Sequence, residues 1–188
     1  MIDTCGDFES VRRLVKAAGW QRIGVDGVDE AGLARLADEL SLAFACPVLD
    51  VDDYLHKNQG GYIDFIDYPA LKSAVSSMPS FILCGVCLRE VLENLGATLD
   101  GHIYIKRMSQ GMWMDEDKCV FPDGIEVAMD VLAADMDAIS RDMDEPSEHV
   151  VRERDGDHPF LTHEVMHYHD RYAPQECADL IFERHGDA

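Results

Sequence analysis

The sequence is poor in positive charge. Its 188 residues include 16 Lys and Arg against 37 Asp and Glu, which gives a formal net charge of −21. A chain this acidic repels phosphate backbones and anionic lipid headgroups, so we expect neither a nucleic-acid partner nor a membrane partner. The same charge makes nucleoside triphosphates unfavourable ligands and favours cationic ones.

Long apolar runs and clustered cysteines are also scarce. No run approaches the roughly 20 apolar residues that a membrane-spanning helix needs, and Met1–Cys5 shows neither the basic nor the apolar part of a signal peptide. The six cysteines lie far apart except for Cys84 and Cys87, as expected of reduced thiols. We therefore expect a cytoplasmic protein, folded as a single domain over residues 1–188.

Strand-like and helix-like segments alternate along the chain. Strand patterns are found at 22–26, 47–51, 80–83, 102–106 and 178–182, and helical patterns at 8–18, 33–45, 68–77, 88–95, 125–143 and 162–172. Such alternation predicts an α/β fold with a doubly wound parallel sheet. The charged, proline-interrupted segment 145–159 is predicted to be a linker or loop.

The acidic helix predicted at 125–143 carries a heptad seam. Its apolar positions recur at spacings of four and three: Ile125, Met129, Leu132, Met136, Ile139 and Met143. Two explanations fit this seam. The helix packs against the protein's own sheet, or it joins two copies of the chain in a homodimer.

A glycine-bearing turn follows the strand at 22–26 and opens an amphipathic helix. Gly27 and Gly32 have the spacing of a phosphate-binding loop, whose backbone amides point at a phosphate from a helix N-terminus. Such a loop continues with Lys, which reaches the phosphates, and with Ser or Thr, which binds Mg²⁺. This sequence has Leu33 and Ala34 there. The pattern predicts the shape of the loop without its two reactive groups, and a turn with no ligand is the alternative.

In the order of its segments, the chain from Arg22 to Arg184 resembles the uridine kinase-like P-loop nucleoside kinases. The resemblance implies a P-loop NTPase fold, and the segment 27–34 occupies the place of the family's phosphate loop. Val51–Leu55 is similar to the family segment whose aspartate takes a proton from the ribose hydroxyl. The resemblance therefore assigns Asp52 the tentative role of catalytic base.

Two further segments carry the resemblance and depart from it. Ile66–Ala70 resembles the family's Asp-His-Pro segment, in which the aspartate, here Asp67, holds the sugar, but Tyr68 replaces the histidine. Leu83–Val86 matches the end of the strand that usually carries Glu-Gly for the metal site, and here Cys84 replaces the acid. These departures affect the metal site more than the sugar site.

The three groups that act on ATP in the family are thus replaced together: the phosphate-loop lysine, the hydroxyl that binds Mg²⁺ and the acid of the metal site. Both sugar-side aspartates, Asp52 and Asp67, remain. Since phosphoryl transfer depends on positioning and charge neutralisation, the loss of the three groups removes roughly a thousandfold or more in rate. The resemblance therefore implies a pseudokinase that binds a nucleoside, a nucleotide or another small polar ligand without a cofactor. An active small-molecule kinase that uses ATP and Mg²⁺ through unusual residues is the alternative. The candidate ligand contacts are Gly27, Gly32, Leu33, Ala34, Asp52, Asp67 and Arg141, the last as one of two lid arginines with Arg154.

A second motif indicates a different chemistry. His163, Glu164 and His167 spell the zincin pattern, in which two histidines on one helical face bind Zn²⁺ and the glutamate acts as base. A zinc site needs a third ligand, for which Glu176 and Glu183 are candidates without an obvious second helix, and Asp170 stands where a metzincin has glycine. We expect a chance pattern with no metal site, and a metallopeptidase is the distant alternative.

Cys84 and Cys87 form a Cys-x-x-Cys pair between a strand and a helix. This setting lowers the pKa of thiols in redox proteins. A thioredoxin-like protein carries the pair early in its fold, and a zinc site needs a second pair, so neither assignment fits. We expect two buried free cysteines.

Overall fold

The structure is a computed structural model that describes residues 2–56, 61–142 and 159–186, with the backbone alone for residues 135–142, 159 and 160. The strands are β1 (Asp3–Cys5), β2 (Arg22–Asp26), β3 (Val48–Asp50), β4 (Phe81–Cys84), β5 (Gly101–Ser109), β6 (Met112–Trp113) and β7 (Leu180–His185). The helices are α1 (Phe8–Ala18), α2 (Leu33–Phe44), α3 (Tyr68–Ser77), α4 (Leu88–Leu95), α5 (Ile125–Asp142), α6 (Pro159–Tyr172) and α7 (Pro174–Cys177).

These strands form one mostly parallel sheet in the order β1-β7-β5-β2-β4-β3. Only β6 is antiparallel, and it pairs with the end of β5. The chain passes from β2 to β3 in one direction along the sheet and from β4 to β5 in the other, so α2 and α4 cover opposite faces. The predicted α/β fold with a doubly wound parallel sheet is confirmed, and its connections diverge beside β2, where ligands bind in such folds.

Local sequence signals explain the ends of several helices. Asp7 caps α1 by accepting a hydrogen bond from the amide of Ser10, and Gly19 ends it with a φ of 71°. Gly96 ends α4 in the same left-handed conformation, with a φ of 63°. Aspartate at the start of a helix and glycine just past its end are residues that commonly cap helices. Between these helices, four of the five residues of β2 are buried, and all four residues of β4 lie in the core.

Some elements differ from the sequence-based prediction. The last strand begins at Leu180 rather than at 178, because the turn of α7 precedes it. The short strands β1 and β6 have three and two residues, which is too few to show an alternating pattern. The predicted linker 145–159 lies outside the described residues except for residue 159, which begins α6.

Helix α5 forms as predicted and packs beside α6. The first three seam residues, Ile125, Met129 and Leu132, are half-buried, whereas Val127 and Val131 are 50% and 56% exposed. The side chains of the later seam positions lie outside the described residues, so the homodimer stays a prediction. No helix in the described ranges, α5 included, combines the length and the apolar character that crossing a membrane requires.

Candidate ligand-binding site

The carboxyl ends of β2, β3 and β4 border a cavity of about 240 Å³, called here the crevice. It lies where the connections of the sheet diverge. Its lining residues are Asp29, Glu30, Gly32, Leu33, Ala34, Arg35, Asp50, Asp52, Tyr62, Gly85, Val86 and Leu161. The structure thus brings four of the predicted contacts together in the crevice: Gly32, Leu33, Ala34 and Asp52.

The loop 27–32 joins β2 to α2 and forms one wall of the crevice. Glu30 and Gly32 have positive φ angles of 62° and 88°, and left-handed residues in a turn help to form concavities of backbone amides that bind anions. Gly32 is the N-cap of α2 and makes no side-chain cap bond. The φ of Gly32 favours glycine, and a Cβ there would also lie 2.0 Å from Nη1 of Arg184, which would have to shift.

The two positions after this loop present no reactive group to the crevice. Leu33 packs partly against the core, and Ala34 is exposed. Arg35 also lines the crevice, but its Nε lies 3.4 Å from Oε1 of Glu39 on the same helix. In this part of the site, the residues that follow the loop offer neither an ammonium group nor a hydroxyl group.

Asp52 is exposed in the crevice and is oriented by a tyrosine that no sequence pattern marks. The hydroxyl of Tyr62 donates to Oδ1 of Asp52 over 2.8 Å. Burial and then the charge of Asp52 raise the pKa of Tyr62 well above its usual value, so the hydroxyl remains a donor at neutral pH. Asp52 is thus held in place by one oxygen while its side chain stays accessible to a ligand.

Gly85 allows Tyr62 to approach the end of β4. A Cβ at this position would lie 2.7 Å from Cβ of Val51 and 3.1 Å from Oη of Tyr62. The preceding residue, Cys84, is fully buried, and burial followed by the charge of Asp50 raises the pKa of its thiol. No acid stands at this position, where the resemblance implies a metal ligand.

Cys87 opens α4 in a left-handed conformation with a φ of 54°. Its side chain is fully buried, and burial raises the pKa of its thiol. Cys84 and Cys87 are both free. The prediction of two buried free cysteines is confirmed, and thiols with raised pKa values do not favour redox chemistry.

Glu164, the glutamate of the zincin pattern, holds backbone amides of the crevice wall. Its Oε2 accepts hydrogen bonds from the amide of Tyr62 over 2.9 Å and from the amide of Ile63 over 3.3 Å. His163 is half-buried and His167 is exposed. Among the described residues, no group of three or more His, Cys, Asp and Glu is arranged to hold a metal ion. The Glu164 carboxylate therefore positions Tyr62, and the Tyr62 hydroxyl in turn holds Asp52.

The double variant His163→Ala/His167→Ala tests the metal alternative. We expect the free energy of unfolding to change by about 1 kcal/mol or less, because His167 is exposed and His163 is only half-buried. Urea denaturation measures the stability, and elemental analysis measures zinc in the purified wild type and variant. One zinc ion per wild-type chain that disappears in the variant contradicts this expectation.

A buried carboxylate lies directly beneath the loop 27–32. Asp26 ends β2, has no exposed surface, and accepts hydrogen bonds from the amide of Gly27 over 2.8 Å and from the hydroxyl of Tyr168. Nε2 of His102 lies 3.3 Å from Oδ2 of Asp26, although neither ring nitrogen has a partner with hydrogen-bond geometry. Burial and then the charge of Asp26 raise the pKa of Tyr168. In the sequence, the contact between Asp26 and Tyr168 is indicated only by an aspartate at the end of a predicted strand.

A second buried pair joins α6 to β5. The ring of His169 lies between the carbonyl of Val165 at 2.7 Å from Nδ1 and the hydroxyl of Tyr104 at 2.7 Å from Nε2. Burial lowers the pKa of His169, so we assign a neutral ring in which Nδ1 donates and Nε2 accepts. Together with Tyr168, this pair fixes α6 against the carboxyl ends of the central strands.

The crevice is strongly acidic. Asp29, Glu30, Asp50 and Asp52 all line it. Burial raises the pKa of Asp29 and of Asp50, and in both cases the charge of Asp52 adds to the effect. These carboxylates repel one another and any anion that enters. The electrostatics therefore favour a neutral or cationic ligand.

Two predicted contacts, Asp67 and Gly27, lie away from the crevice lining, and the side chain of a third, Arg141, is outside the described residues. Asp67 caps α3 by accepting a hydrogen bond from the amide of Ala70 over 3.0 Å, and it does not line the crevice. Gly27 is buried, and a Cβ there would lie 3.1 Å from the carbonyl oxygen of Ile105. Arg141 is in the last turn of α5, where side chains lie outside the described residues, and Arg154 lies outside them altogether.

No protein-family model and no curated protein matches the sequence. Among solved structures, a possible uridine kinase from Bacillus stearothermophilus is similar, with a TM-score of 0.48 and 13% identity over 93% of this chain and 96% of the other. Shikimate kinase from Bacteroides thetaiotaomicron has a TM-score of 0.42 and 13% identity over 87% and 86%. An uncharacterized protein from Eubacterium ventriosum has a TM-score of 0.41 and 11% identity over 87% and 88%. At this level of identity the similarity concerns the fold alone.

Proposed function

We propose that this protein binds a small polar ligand of the nucleoside type in the crevice and does not transfer phosphate from ATP. One observation carries the proposal. Asp52 is held by Tyr62 in a cavity at the carboxyl ends of the strands, beside a loop that is followed by Leu33 and Ala34. The crevice thus has a polar group for a ligand and lacks the groups that act on a triphosphate.

A sugar hydroxyl is a suitable partner for Asp52. An ionised carboxylate has several acceptor positions, and the Tyr62 hydroxyl occupies one of them. The remaining positions accept hydrogen bonds from a diol, and such charge-assisted bonds are stronger than neutral ones. The crevice, at about 240 Å³, lies just below the size of ordinary ligand pockets, which favours a compact molecule.

Phosphoryl transfer would need positive charge where the crevice is negative. Transferred phosphoryl groups are stabilised by Lys, Arg and Mg²⁺ placed around their oxygens. Here Asp29, Glu30 and Asp50 surround the approach to the loop. We infer that the site discriminates against nucleoside triphosphates. The active-kinase alternative depends on Arg35, the one cation that lines the crevice within the described residues.

Thermal-shift measurements test the proposal with uridine, cytidine and adenosine, and with ATP plus Mg²⁺, each at millimolar concentration. We expect at least one nucleoside to raise Tm, because a ligand at about 100 times its Kd adds about 2.7 kcal/mol to the native state. We expect ATP with Mg²⁺ to produce little or no shift.

Substitutions at the crevice sharpen this test. Asp52→Asn and Tyr62→Phe should each reduce the nucleoside shift, whereas Asp53→Asn, an exposed neighbour that does not line the crevice, should preserve it. A Mg²⁺-dependent shift with ATP, or measurable phosphate transfer to uridine or cytidine, would refute the non-catalytic assignment. The absence of a shift with all three nucleosides would refute the ligand class.

A further inference from the structure

Two arginines from neighbouring strands reach the loop 27–32. Arg107 on β5 and Arg184 on β7 are paired in register across the sheet. Nη1 of Arg107 lies 3.1 Å from Oε2 of Glu30, and Nη1 of Arg184 donates to the carbonyl of Ala31 over 3.0 Å. The guanidinium groups of Arg107 and Arg184 therefore lie beside the loop, and each of them contacts a group of the loop itself.

Glu30 lies between the crevice and a second, smaller cavity. It lines the crevice, and it also lines a cavity of about 80 Å³ together with Arg107 and Lys118. Its side chain is 74% exposed, and its φ of 62° is unusual for a residue other than glycine. The Glu30 carboxylate thus lies between the acidic crevice and the two basic side chains of the smaller cavity, Arg107 and Lys118.

Arg107 is fixed independently of Glu30. Its Nη2 donates to Oδ1 of Asp115 over 2.6 Å, and Asp115 is 1% exposed. A guanidinium held on one side by a buried carboxylate keeps its position when the other partner is removed, and its planar fork then offers a free donor. Removal of the Glu30 carboxylate would therefore leave a positioned guanidinium donor at the loop.

We propose that Glu30 is a specificity-determining residue that excludes phosphate from the loop by occupying Arg107. Its carboxylate acts as an internal anion, so the crevice accepts neutral or cationic ligands and rejects phosphorylated ones. This inference extends the proposed function, because it concerns the charge of the ligand that the crevice accepts. Its test requires no nucleoside, so the two can fail separately.

The test is calorimetric titration of inorganic tripolyphosphate into the wild type and into Glu30→Gln. We expect the variant to bind at least about tenfold more tightly, because one charge-assisted contact becomes available to the anion. Glu93→Gln is the matched control. Glu93 is exposed and lies 3.7 Å from an arginine, Arg171, but it is near the end of α4 and lines neither cavity. The control removes the same charge and should leave the affinity unchanged.

Two further variants identify the contact. Glu30→Gly removes the carboxylate and suits a positive φ, so it should show the same gain in a folded protein. Arg107→Lys in the Glu30→Gln background should lose most of the gain, because a single ammonium group remains committed to Asp115. The proposal is overturned if Glu30→Gln and Glu30→Gly bind tripolyphosphate no better than Glu93→Gln, or if the gain survives Arg107→Lys.

Discussion

Replacement of Asp26 by alanine is expected to lower the free energy of unfolding by about 3 kcal/mol or more. The carboxylate has no exposed surface, and its loss leaves the amide of Gly27 and the hydroxyl of Tyr168 without an acceptor. Each buried donor that loses its partner costs about 1–3 kcal/mol. The variant is also relieved of the cost of burying a carboxylate, which offsets part of this loss. Urea denaturation at pH 7 measures the difference.

A double-mutant cycle separates this contact from general disruption of the core. Tyr168→Phe removes the donor to Asp26 and also the acceptor for the amide of Arg89, which lies 3.2 Å from the Tyr168 hydroxyl. Because the two variants share one hydrogen bond, their combined effect should be smaller than the sum by about 1–3 kcal/mol. Asp53→Ala, at an exposed position, should change the stability by about 0.5 kcal/mol or less. Additive effects of the two substitutions would show that the hydroxyl and the carboxylate do not interact.

The parts of the fold that the sequence predicts depend on local signals. Asp7 and Gly19, for example, cap α1 through contacts with residues of the same helix. The buried strand at 80–83 is recognisable because a parallel strand covered on both faces reads as a continuous apolar run. The alternation of such strands with helices then restricts the topology to a doubly wound sheet.

The parts of the site that the sequence does not predict depend on contacts between residues that are far apart in the chain. Glu164 is 102 residues from Tyr62, and Arg107 is 77 residues from Glu30. No local pattern specifies either pair, since both arise only when β5 and α6 are packed beside the loop and the crevice wall. Asp67 shows how one residue can suit two roles: an aspartate before Tyr-Pro also fits a helix cap, and capping is the contact that it makes.

Glu164 also shows why a motif needs its structural context. The zincin pattern assigns its carboxylate to a water molecule on a metal ion. In the fold, the same carboxylate faces two backbone amides at the start of a short 3₁₀ turn, Ile63–Phe65. Two histidines four residues apart share a face of any helix, so their spacing does not identify a metal site. The role of Glu164 depends instead on the backbone amides that its carboxylate contacts.

Glu164→Ala should therefore affect both stability and ligand binding. We expect the free energy of unfolding to fall by about 2 kcal/mol or more, because the amides of Tyr62 and Ile63 lose a charged acceptor. We also expect Tyr62 to move away from Asp52, so the nucleoside-induced increase in Tm should shrink. Glu164→Gln keeps one acceptor oxygen and should lie between the wild type and alanine in both measurements.

Hydrogen exchange at the amides of Tyr62 and Ile63 connects the two effects. Both amides should exchange faster in Glu164→Ala under native conditions, because local opening of the turn costs less free energy without the carboxylate. His167→Ala, an exposed substitution on the same helix, should leave exchange at these amides unchanged and serves as the control. If exchange and stability in Glu164→Ala match those of His167→Ala, Glu164 does not hold the crevice wall. The inference that α6 positions Asp52 through Tyr62 would then be wrong.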